Sequence, residues 1–93
     1  PAIVAALLAR PKWVELLLAP LEDDEPGVRH RVFEVWRVAG EAVRQMEGEG
    51  KERARASLRE GKVGRRLEEA KTKERVVELK EVVTAAVMAV KEV

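Results

Sequence analysis

From Val82 to Val90 the chain reads VVTAAVMAV, an uncharged run in which only Thr84 is polar. On a helix these side chains cover most of the circumference, and a helix that is apolar nearly all round is normally buried on more than one side. The opposite end, PAIVAALLA, has the same character. A chain of 93 residues is one domain, 1–93, and a small one. Burying one valine is worth ~1.5–3 kcal/mol, so leaving several in water would cost much of a small domain's stability. The two apolar ends can cover each other, with a helix over 26–47 as a third wall, or they can pack between copies. The expectation is a homo-oligomer whose interface is Val82, Val83, Ala86, Val87 and Val90, with Ala85, Ala86 and Ala89 small enough for close helix approach.

The rest of the chain reads as helices separated by glycine and proline. Val4, Leu7, Leu8, Val14, Leu17 and Leu18 form a helical stripe, and Pro11 kinks it or opens a second helix at its first position. PLEDDEPG, at 20–27, is a turn. Asp23 or Asp24 is expected to cap the next helix, and Glu22 to Glu25 suit its positive end. That helix runs from about Pro26 to Glu47, with Val28, Val32, Val35, Trp36, Ala39, Val43 and Met46 on one face. Gly40 lies on that face, either to admit a close neighbour or to end the helix early. Phe33 falls off it, which suggests a second contact surface. Trp13 and Trp36 are assigned to the core.

EGEGK, at 47–51, reads as a flexible connector. KERARASLRE, at 51–60, is a short helix with Ala54 and Leu58 as its apolar pair, and GKVG is a second break. One long helix, ~45 Å at 1.5 Å per residue, is expected from Gly64 or Arg65 to Val93, braced by Arg65–Glu69 and Glu69–Lys73. No run alternates over a strand's length. The fold class is all-α, a bundle of four or five helices.

Composition excludes several functions. With no cysteine there is no disulfide or thiol chemistry. No apolar run approaches the roughly 20 residues that span a bilayer. The net charge of +1 gives no global pull toward nucleic acid or membrane. Ala, Val, Leu, Glu, Arg and Lys dominate and asparagine is absent. This alphabet suits a heat-adapted protein or an idealised, designed helical one. A natural chain of this kind is expected in the cytoplasm.

Pro26, Val28, Arg29, Val32, Val35, Trp36, Ala39 and Gly40, with Asp23 five positions before Val28, stand in the register of a HEAT-type repeat. Over residues 16–40 the chain resembles one such unit, which implies a HEAT-like hairpin at 12–40 and protein binding through a helical scaffold, without chemistry. Trp36 and Phe33 are bulkier than the pattern, and nothing after Gly40 repeats it. A lone unit cannot bury its own face and needs neighbours, so one alternative is a fragment of a longer HEAT-type array that binds a protein.

The search for chemistry yields little. His30 is the only histidine, and no nucleophile motif surrounds Ser57, Thr72 or Thr84. Glu34, one turn from His30, is expected to form a surface ion pair with it. One histidine cannot build a zinc site, and helix-end electrostatics account for Asp23, Asp24 and Glu25 without a cation. No enzyme activity, metal, cofactor or small-molecule substrate is expected, and the partner is the chain itself or another protein. The strongest charge asymmetry lies at 51–66, where Lys51, Arg53, Arg55, Arg59, Lys62, Arg65 and Arg66 outnumber Glu52 and Glu60. Such a segment can track phosphates without reading sequence, which makes a nucleic-acid-binding or coat-like protein another alternative. No aromatic residue is interleaved to stack on bases.

Overall fold

Pro11 begins a helix rather than bending one. In the computed structural model, which describes Leu8 and residues 10–93, α1 spans Pro11–Leu18 with proline in its first turn. The expected stripe through Val4 and Leu7 lies outside the described residues. A 3-10 turn over Ala19–Glu22 follows, then α2 (Pro26–Gln45), α3 (Gly48–Glu60), α4 (Val63–Lys73) and α5 (Val77–Lys91). The described residues form an all-α bundle of five helices with no strand. The radius of gyration, 12.4 Å, matches the ~12 Å expected of a folded chain this long.

The buried face of α2 is Phe33, Trp36, Ala39, Gly40 and Val43. Of the expected face, Trp36, Ala39 and Val43 are buried and Val32 and Met46 pack against the core. Phe33 is fully buried and belongs to the core, whereas Val28 and Val35 are exposed. Trp36 is fully buried too, and its indole Nε1–H donates to the Leu17 carbonyl at 3.1 Å, using an acceptor that the end of α1 leaves unpaired. Trp13, by contrast, lies at the surface, so only one tryptophan is core.

Gly40 is where α2 meets α5. A Cβ built there would sit 2.6 Å from the carbonyl carbon of Ala89 and 2.9 Å from the amide nitrogen of Val90. The expectation of a close neighbour holds, and the helix continues past Gly40. Together with the Arg29–Glu74 and Arg44–Glu92 ion pairs, this contact fixes the register of the two helices. Contacts advance along both helices in the same direction, so α2 and α5 run parallel.

Two boundaries differ from expectation. EGEGK is not a connector: only Met46 and Glu47 separate α2 from α3, and Gly48, at φ 72°, opens α3. The long C-terminal helix is interrupted at Glu74–Val76, where Glu74 and Val76 are extended. Lys73 reaches Glu22 rather than forming the expected bridge to Glu69, whereas Arg65–Glu69 forms. The break lets α5 double back on α4, so that Gly64 faces Val90 and Lys91 pairs with Glu68. A continuous helix would carry Val82–Val90 away from the bundle. The break folds that run against α2 and α4.

Candidate functional site

The break is built around one carboxylate. The Glu74 side chain is 2% exposed, and its oxygens accept from Arg29 Nε at 2.9 Å and a second guanidinium nitrogen at 3.1 Å. The same carboxylate accepts the backbone N–H groups of Arg75 and Val76, each at 3.1 Å. These donors would otherwise bond carbonyls one turn back, so Glu74 ends α4 by taking them. The third nitrogen of Arg29 donates to the carbonyls of Asp23 at 2.8 Å and Asp24 at 3.1 Å. One guanidinium therefore ties the loop before α2 to the break before α5. Its hydrogen bonds hold the Glu74 carboxyl below the usual carboxylate range, against the opposing effect of burial, with the Val76 and Arg75 amides assisting.

This arrangement corrects the expected cap. Neither Asp23 nor Asp24 caps α2, because Glu25 stands at the N-cap position and makes no side-chain cap bond. Asp23 instead accepts from the Glu25 N–H at 2.9 Å, an Asx turn outside the helix. A shallow groove of about 420 Å³ opens beside the clasp, lined by Leu21, Glu22, Asp24, Lys73 and Arg75 among others. Lys73 pairs with Glu22 at its rim. No buried side-chain nitrogen or oxygen among the described residues lacks a partner. The buried polar atoms here are satisfied by one another, which suits a structural clasp.

Other expected sites fare differently. His30 is exposed, and Glu34 is engaged by Arg37 at 2.9 Å, not by His30. No group of three or more His, Cys, Asp and Glu among the described residues is placed to hold a metal ion. No helix among them is long and apolar enough to cross a membrane.

The basic segment 51–66 is spread over α3, the Gly61–Lys62 turn and the start of α4. Arg53, Arg55, Arg65 and Arg66 pair with Glu49, Glu52, Glu69 and Glu15, and Lys51 donates to the Arg44 carbonyl. Arg59 and Lys62 make no ion pair among the described residues. Lys62 takes the left-handed conformation at φ 53°.

The expected oligomer face is core. Val83, Ala86, Val87 and Val90 are buried within the chain, and only Val82 is half-buried. The parallel contact with α2 and the return along α4 bury Leu79, Val83, Ala86, Val87, Ala89 and Val90 of α5, a contact that its spacing alone does not reveal. Among the described residues the large apolar side chains left in solvent are Trp13 and Leu16 on α1, Val28, Val35 and Val38 on α2, and Val77 and Met88 on α5. No family model, curated protein or solved structure matches this chain.

Proposed function

We propose that this chain is a non-enzymatic structural or interaction module, in the manner of an idealised helical scaffold, that assembles with itself through apolar helix faces its own core leaves uncovered. One observation carries the reading. Among the described residues seven large apolar side chains, Trp13, Leu16, Val28, Val35, Val38, Val77 and Met88, are 37–70% exposed. The polar groups support it, because Glu74, one of two buried polar side chains among the described residues, is taken up by Arg29 and the amides of Arg75 and Val76. Light scattering across a concentration series is the test. The expected result is a mass above the 10.4 kDa of one chain that rises with concentration. A constant 10.4 kDa overturns the proposal.

A second reading takes the basic segment as a phosphate-binding surface. It is favoured by Arg59 and Lys62, which flank the α3–α4 turn, are exposed and lack ion-pair partners among the described residues. The ion pairs around them are exposed and weak enough to be exchanged for phosphate. Binding of a short duplex at low salt, lost as salt is added, supports this reading. No binding at low salt ends it.

A further inference from the structure

The apolar arc on α2 is wider than the core uses. Beside the buried face run Val28, Arg31, Val35, Val38, Ala42 and Gln45, at alternating spacings of three and four. That average of 3.5 residues is the period of a seam between two helices. The seam is ~26 Å long at 1.5 Å per residue. Val28, Val35 and Val38 are 37%, 43% and 49% exposed, and Ala42 is half-buried. We propose that this seam is the docking face for a second copy of the same chain, packed antiparallel about a two-fold axis between Val35 and Val38. The inference rests on the assembly reading above and names the face that performs it.

The charge pattern selects both the occupant and its direction. Arg31 is exposed and has no ion-pair partner among the described residues. In a parallel pair it would face Arg31 of the other copy, like charge on like. In the antiparallel register that sets Val35 opposite Val38, Arg31 lies opposite the small Ala42 and within one residue of Glu41. The Glu41 carboxylate is held on its own helix by Arg37 at 3.1 Å and keeps acceptor capacity for a second guanidinium. Two-fold symmetry makes this contact twice, so the seam is complementary to itself. One helix seam covers less than the roughly 800 Å² per partner of a standard interface, so the dimer is weak.

The test is sedimentation or light scattering from about 5 to about 500 μM on the full chain and its variants, with circular dichroism to verify the fold. Val35→Lys with Val38→Lys changes exposed positions only and is expected to abolish dimerisation. Met88→Lys, on the outer face of α5, is expected to leave it unchanged. Arg31→Glu is expected to weaken association roughly three- to tenfold, and adding Glu41→Lys to restore most of it. If the variant carrying both Val35→Lys and Val38→Lys assembles as well as the wild type, the seam is overturned while the assembly reading is spared. A loss on Met88→Lys instead moves the interface to α5. A strictly monomeric wild type overturns both.

Discussion

Arg29 and Glu74 stand 45 positions apart and meet in a two-pronged ion pair at 2.9 and 3.1 Å, with the acid 2% exposed and the base 17%. That difference in exposure decides how the pair responds to substitution. Arg29→Leu strands a buried carboxylate and is expected to destabilise the fold by about 3–5 kcal/mol. Glu74→Gln leaves a guanidinium that water still reaches and keeps an acceptor for the two amides, so about 1–2 kcal/mol is expected. The double replacement by leucine should recover part of the loss from Arg29→Leu, because it removes both desolvation costs but leaves the Arg75 and Val76 amides without their acceptor. Urea denaturation of the three variants checks the order.

The same pair sets an acid limb. Glu74 is shifted down on folding, so its contribution is complete above the unfolded glutamate value of ~4.3. It is lost as pH falls through that value and then through the lower folded one. Glu22, Glu34 and Glu68 shift the same way, but they are more exposed and partnered at the surface, so their share is small. Unfolding midpoints should be level from about pH 7 to about pH 5 and decline below. In Glu74→Gln that decline should be shallower, and an identical slope would assign the acid limb to other groups.

Gly40→Ala places a methyl carbon against the backbone of Ala89, which cannot rotate aside. The two helices must part, at an expected cost of about 3 kcal/mol. Thermal unfolding reads this directly. Gly27→Ala is the matched control, because nothing lies within 4 Å of its added carbon.

At the α3–α4 turn the glycine and the left-handed residue are adjacent but distinct. Gly61 has an ordinary φ of −77°, and a Cβ there would meet Val14 Cγ1 at 2.8 Å. Lys62 carries the left-handed conformation, which a side chain disfavours by ~1–2 kcal/mol. Lys62→Gly is therefore expected to raise stability by about 0.5–1 kcal/mol, less than the full relief because glycine loses more entropy on folding. Gly61→Ala should lower stability. Differential scanning calorimetry separates the two signs.

Much of the helical framework was legible in local chemistry. Pro11 and Pro26 mark helix starts, Ala54 and Leu58 mark the inner face of α3, and the placing of Gly40 on an apolar face foretold a close contact. What local reading missed depends on distant partners. ERVV carries no glycine or proline, so nothing at 74–77 announces a break. The break exists because Arg29 draws Glu74 inward and Glu74 then captures the next two amides. The α2 face was drawn to include Val28 and Val35 because its apolar arc is broad enough to serve two surfaces, and only the position of α5 decides that Phe33 is inside and Val35 outside. For the same reason Val83, Ala86, Val87 and Val90 read as an interface and turned out to be core. Exposure of Trp13 has no signal in its neighbours.

The parallel pairing of α2 with α5 also orders events during synthesis. Helices joined by short turns find each other as soon as both exist, whereas here the main partner of α2 begins at Val77, after α3 and α4 have been made. At roughly 5–20 residues per second, Phe33, Trp36 and Val43 emerge and wait on the order of seconds before the surface that covers them is complete. During that interval a nascent chain presents Phe33, Trp36 and Val43 to whatever is near, so the yield of folded protein is expected to fall as the concentration of nascent chains rises, whatever the stability of the finished fold.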